Sequence, residues 1–138
     1  MVGNFDLDIM QQQHVGHLLS PLPPEMRSDT AFMDRIHCNV PEWDFPKVSA
    51  REHLTDHFGL VSDFLAECWN KLWTGSRLSA LQGRVNWGGA LSGRDIEAIN
   101  KTAGGLIKLL FPDPAMHIPD RELELIARIS LESRRRVV

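Results

Sequence analysis

The sequence predicts a mainly α-helical fold: about four helices over residues 48–138, preceded by strand and loop fragments over residues 1–47. Three observations predict it. Val61, Phe64, Leu65, Cys68 and Leu72 recur at i, i+3, i+4, i+7 and i+11, one apolar stripe along a helix. Ile96, Ile99, Ala103, Leu106 and Leu110 do the same at i, i+3, i+7, i+10 and i+14. The first 47 residues hold too few strand patterns for a sheet, and a two-stranded remnant is not stable alone.

Met1–Asp6 is a short apolar piece broken by Gly3-Asn4, and no clear period follows before Pro24. Pro21-Leu22-Pro23-Pro24 cannot continue a helix, which predicts an irregular loop. Ser28-Asp29-Thr30 offers side-chain oxygens to unpaired backbone N–H groups, so a short helix starts here and runs to about Asp34. Ile36-His37-Cys38-Asn39-Val40 alternates apolar and polar residues with β-branched ends, the pattern of a short strand. Pro41 and Pro46 bracket Trp43 and Phe45 in a connector.

Ser49 and Glu52 have capping-box spacing, and Gly59 parts that short helix from the one bearing Phe64. Thr74-Gly75-Ser76 ends the latter, and Gly83, Gly88 and Gly89 make residues 77–91 loop-like. Ser92 with Asp95 is a capping-box variant that opens the helix of Ile96 and Ile99. Gly104 and Gly105, each costing about 1 kcal/mol against alanine, predict close packing within this strong pattern. Pro112 and Pro114 stop it. The last helix starts near Pro119. Asp120, Glu122 and Glu124 lead it and Arg134, Arg135 and Arg136 trail, the order the helix dipole favours.

Composition narrows the function classes. Hydrophobic residues at 43% and charged residues at 24% support a packed core and argue against disorder. The longest apolar runs, counting glycine, are 87–91 and 103–107 and fall far short of the ~20 residues of a membrane span. Met1–Gln11 has no basic start and carries Asp6 and Asp8, so no secretory signal is read. Cys38 and Cys68 make no disulfide framework, which predicts a cytoplasmic home. A net charge of −3 provides no global basic field for nucleic acid or a membrane surface, and no membrane partner is expected. The terminal arginine run reads either as a solvated helix end or as a phosphate-contacting patch.

No G-x-x-x-x-G-K-[ST] loop, G-x-S-x-G elbow or strand ending in paired acids is present. His53 and His57 sit at i, i+4 on a predicted helix, with His37-Cys38 as further metal-ligand types, but the sequence between them is not a zinc-protease motif. Exposed helical histidines are the simpler reading, and no metal site is assigned. Asp34-Arg35 ends a helix that runs straight into the predicted strand. It reads either as a local ion pair or as an arginine fixed to reach a phosphate across an interface, a task that suits its planar fork. Arg94 lies in the first turn of the strongest helix, against the dipole, where anions are favoured. It is either a tolerated solvated side chain or a ligand contact.

Several stretches carry a resemblance, in order and over nearly the whole chain: Val2-Gly3-Asn4-Phe5-Asp6, Pro21 to Arg27, Asp29 to His37, His57 to Phe64, Leu91 to Asp95, and Lys101 to Pro112. Together they resemble the later half of an AAA+ ATPase module. The similarity is to the Lon-like ATPases of the ATP-dependent Lon-type protease family, including the BrxL proteins of BREX phage-defence systems. The resemblance implies that Val2–Asp6 ends a sensor-1 strand, with Asn4 orienting the attacking water. It implies that Arg35 is the arginine finger, with Arg27 as the alternative, acting on nucleotide in a neighbouring subunit. It implies that residues 1–47 are part of the α/β large subdomain and residues 48–138 the helical lid, with Arg94 as the sensor-2 arginine.

The implied cofactors are ATP and Mg in the intact parent, with none tightly bound by this chain. The implied partners are a second copy or the rest of the AAA+ ring, and DNA for the intact assembly, which nothing in residues 1–138 demonstrates. The phosphate-binding loop would lie before Met1 and a serine–lysine peptidase domain after Val138, so the chain reads as a truncated fragment, inactive alone. Loss of the large-subdomain sheet predicts that Val2, Phe5, Leu7, Leu18, Leu22, Phe32, Trp43 and Phe45 lack partners and promote association. The alternatives are a free-standing helical interaction module without ATPase activity, or a small metal- or nucleic-acid-binding helical domain.

Overall fold

The computed structural model describes Leu19 and residues 22–54 and 56–137. Asn4 and the expected sensor-1 strand lie outside the described residues, as do Val2, Phe5, Leu7 and Leu18. The described part is mainly helical: α1 (Pro24–Ser28), α2 (Thr30–Arg35), α3 (Ala50–His53), α4 (Ser62–Thr74), α5 (Gly93–Leu110) and α6 (Asp120–Arg135). Two 3-10 turns, Glu42–Asp44 and Leu78–Ala80, complete it.

The long pair α5 and α6 organises the molecule. Ala103 and Ile107 on α5 meet Ile118, Leu123 and Ile126 at the start of α6, with Leu81 closing the cluster. At the other end Asp95 of α5 meets Arg134 of α6, so the helices run antiparallel. Ile99, Ile107 and Leu123 are almost completely buried, each stabilising the fold by roughly 1.5–3 kcal/mol. The segment between α4 and α5 covers one side of this pair through Ala80, Val85 and Trp87. Gly83 makes its turn at φ 71°, a conformation that side-chain-bearing residues rarely adopt. The glycine pair in α5 divides: a Cβ on Gly104 would come within 3.1 Å of Leu78 Cδ2, whereas one on Gly105 would meet nothing within 4 Å. The expected close packing therefore holds at Gly104 and not at Gly105.

A second cluster joins the N-terminal part to the end of α6. Leu19, Leu22 and Val137 are buried, with Phe32, Met33 and Ile36 against them. Leu22 and Phe32 thus have partners, contrary to the expectation of exposure, because the chain beyond α6 supplies Val137. Phe45 does remain 62% exposed.

Four local expectations need correction. Ile36–Val40 is not a strand, and no strand occurs among the described residues. Its backbone groups instead bond to α6: Asn39 N–H donates to Ser133 O at 2.9 Å, and Ile36 O accepts from Arg134 at 2.6 Å. The irregular loop expected up to Pro24 gives way at that residue to α1, because a proline at the first helical position lacks only an N–H that would be unpaired anyway. Ser49 does not cap α3 with its hydroxyl; its N–H donates to His53 Nδ1 at 2.8 Å. Finally, α4 has the expected period but buries none of its residues. Phe64 is 59% and Trp73 84% exposed, while Leu65, Cys68 and Leu72 are half-buried.

Candidate functional site

The site is built where the ends of α2, α5 and α6 converge. Asp29 caps α2, its carboxylate accepting from Ala31 N at 2.9 Å and Phe32 N at 3.1 Å. This fixes the start of a six-residue helix that ends in Asp34-Arg35. Ser92 caps α5 with the expected box: its hydroxyl accepts from Asp95 N at 3.2 Å, and the Asp95 carboxylate accepts from Ser92 N at 3.2 Å. Ser92 Oγ also donates to Asp95 Oδ2 at 2.6 Å.

The Arg134 side chain, 2% exposed, lies between these two ends. Its Nε donates to Asp95 Oδ1 at 2.9 Å and its Nη2 approaches the same oxygen at 2.8 Å. Nη2 lies 3.6 Å from Asp34 Oδ1. Nη1 donates to Ile36 O at 2.6 Å and Met33 O at 3.3 Å. Those carbonyls belong to the end of α2, where the last carbonyls of a helix run short of backbone partners; among the described residues the only backbone N–H that Met33 O accepts is that of the capping Ile36, at 3.1 Å. A buried guanidinium is tolerable only with such complete pairing, and deleting one partner of a buried ion pair costs about 3–5 kcal/mol. The Ser92 hydroxyl, and after it Arg134, hold the Asp95 carboxyl below its ordinary value of 3.8, while partial burial works the other way.

Arg94 and Arg35 flank this centre. Arg94 pairs through Nη1 with Asp34 Oδ2, yet its side chain stays 71% exposed. That carboxylate and Asp95 offset the cost of an arginine at a helix N-terminus. Arg35 is exposed, and among the described residues its guanidinium has no hydrogen-bond or ion-pair partner. The local Asp34–Arg35 ion pair is thus not formed: Asp34 turns to Arg94 and Arg134. Arg27 is also exposed, at the end of α1.

The terminal arginines are not one solvated run. Arg134 is buried, Arg136 pairs with Asp44 and lies 3.7 Å from Glu132, and Arg135 alone is largely solvated, 4.0 Å from Glu132. Arg134 is the site residue that composition missed. The signal was periodic: Leu123, Ile126, Ala127, Ser130, Ser133, Arg134 and Val137 share the buried face of α6.

Elsewhere, two shallow clefts flank the loop of Arg84, Val85, Asn86 and Trp87. Their polar groups are already engaged: Arg84 with Asp120 and with Ile118 O at 2.7 Å, and Trp87 Nε1 with Asn100 Oδ1 at 3.1 Å. Among the described residues no group of three or more His, Cys, Asp or Glu could hold a metal ion. No helix among them is long and apolar enough to cross a membrane.

The fold and site define a helical domain that presents arginines beside a buried guanidinium–carboxylate centre. The chain belongs to the family described as Lon-like protease BrxL-like, ATPase domain, whose model matches residues 1–138. It is 36% identical over 136 residues to the Lon-like protease BrxL of Bacillus cereus (strain H3081.97), covering 99% of this chain and 20% of that protein. It is likewise 36% identical over 136 residues to the Lon-like protease BrxL of Escherichia coli O9:H4 (strain HS), covering 99% of this chain and 19% of that protein. The chain thus spans about a fifth of the length of these curated relatives.

Proposed function

We propose that this chain acts as the sensor-and-lid part of a Lon-like AAA+ ATPase that works as a ring. In this reading residues 1–47 are the edge of the large subdomain and residues 48–138 the helical lid. Arg35 reaches the phosphates of nucleotide held by a neighbouring subunit, Arg94 contacts nucleotide phosphates from the lid, and Asn4 orients water. The observation that carries the reading is the state of Arg35. Its neighbour Asp34 is locked into the α5–α6 junction, while its own guanidinium is exposed and unpaired among the described residues.

Both arginines fit phosphate oxygens, which guanidinium forks bind bidentately. Arg94 would exchange a mostly exposed ion pair, worth about 0–1 kcal/mol, for such a contact. Bound ATP would supply the phosphoryl group and Mg the neutralising charge. The two carboxylates at the centre of the site, Asp34 and Asp95, are committed to arginines, so the Mg ligands are assigned to other residues. The resemblance to BREX-system proteins extends the proposal to phage defence and to DNA as a partner of the assembly.

Steady-state ATPase kinetics of the full-length protein test the reading. Arg35→Ala lowers kcat by about 10³–10⁵, the range for a finger supplied in trans, with nucleotide affinity little changed. Arg94→Ala raises KM for ATP. Wild-type kinetics in both variants would overturn the assignment. The exposed face of α4 that carries Trp69 and Trp73 favours a second reading, a helical interaction module. That reading predicts unaltered ATPase in both variants and loss of association in Trp73→Ser.

A further inference from the structure

We infer that Arg134 is a positioning residue that sets Arg35 and Arg94 relative to each other. The inference rests on the phosphate-contacting roles proposed above for those two side chains. The geometry is symmetrical in sequence terms. Arg35 directly follows Asp34, and Arg94 directly precedes Asp95. Both aspartates face the one buried guanidinium, Asp95 at 2.8 Å and Asp34 at 3.6 Å. Successive residues on a helix point about 100° apart, so anchoring each aspartate inward turns its arginine neighbour outward.

The guanidinium holds backbone as well as side chains. The Nη1 bonds to Met33 O and Ile36 O clamp the last turn of α2, the turn that carries Arg35. The Nε bond to Asp95 Oδ1 fixes the third residue of α5, and Ser92 ties the same carboxylate to the helix cap. Asp34 then reaches Arg94 with its second oxygen. One buried side chain therefore fixes the stalks of both exposed arginines. Lysine could keep the charge there but not the fork, since an ammonium cannot satisfy two carboxylates and two carbonyls in one plane.

Arg134→Lys separates positioning from simple support of the fold. In the chain of 138 residues, two-dimensional amide spectra of Arg134→Lys should show shifts at Arg35 and Ile36 and also at Arg94 and Asp95. Shifts confined to α6 would overturn the inference. In the full-length protein, assayed below its melting temperature, Arg134→Lys should lower kcat and raise KM for ATP together. The combined loss in kcat/KM should reach about 10²-fold, as expected when catalytic groups are misplaced by an ångström. A lowered Tm with wild-type kcat and KM would overturn it, since a purely structural residue behaves that way. If Arg35→Ala and Arg94→Ala themselves leave the kinetics unchanged, the functional reading fails, and the amide shifts alone decide whether Arg134 positions the two side chains.

Discussion

Arg134 lies eleven residues after Leu123 and seven after Ala127, on the buried stripe of α6. It was legible by position and hidden by charge, because three consecutive arginines at a helix end look like one solvated object. The stripe that leads to it passes through Ser130 and Ser133, which an apolar count skips. Both serines satisfy themselves locally, Ser130 Oγ donating to Ile126 O at 2.7 Å and Ser133 Oγ to Ser130 O at 2.9 Å. The Ser92–Asp95 capping box, by contrast, was fully legible, since it is a local pattern, whereas the bond from Arg134 to the same carboxylate was not. Asp95 also sets an acid dependence. Its carboxyl is held below 3.8 in the folded chain, so its contribution is complete above the ordinary carboxylate range and is lost as pH falls through the lowered value. Ser92→Ala should cost about 1 kcal/mol at neutral pH through the lost cap. It should also shrink the stability difference between about pH 7 and about pH 3, because the Asp95 carboxyl moves back toward its ordinary value. Urea unfolding at the two pH values checks both effects.

At the scale of elements, periodicity located α4, α5 and α6 but did not say which would be covered. The stripes of α4 and α5 look alike in sequence, yet α5 buries Ile99, Ala103 and Ile107 while α4 buries nothing among the described residues. The difference is non-local: α5 has α6 antiparallel to it, and α4 is tied to α5 chiefly at its end, where Lys108 Nζ donates to Gly75 O at 3.2 Å. Residues 36–40 show the same limit in reverse. Their alternation is a strand pattern, but pairing needs a second strand, and the available partner is the end of α6. The α5 glycines separate propensity from packing. Gly105→Ala, with open space around the added methyl, should raise stability by about 1 kcal/mol. Gly104→Ala should gain less or lose stability, because Leu78 Cδ2 stands 3.1 Å from the new Cβ. Parallel thermal melts of the two variants test this contrast.

Over the whole molecule, the long-range ties converge on the end of α6. Ser133, Arg134, Arg136 and Val137 there engage Asn39, Asp34, Asp44 and Leu22. None of these contacts was legible, because each joins residues some 90 or more apart in the chain. What the sequence did carry was the family, through short motifs in a fixed order, and the family model spans the same 138 residues. The central functional claim is that Arg35 acts on nucleotide in a neighbouring copy. Mixing full-length Arg35→Ala subunits with subunits whose own nucleotide site is disabled tests it most directly. Each preparation alone should be nearly inactive. The account predicts that ATPase activity returns in the mixture, as intact Arg35 of one subunit serves the intact site of the other. Mixed rings that form and remain inactive would contradict it.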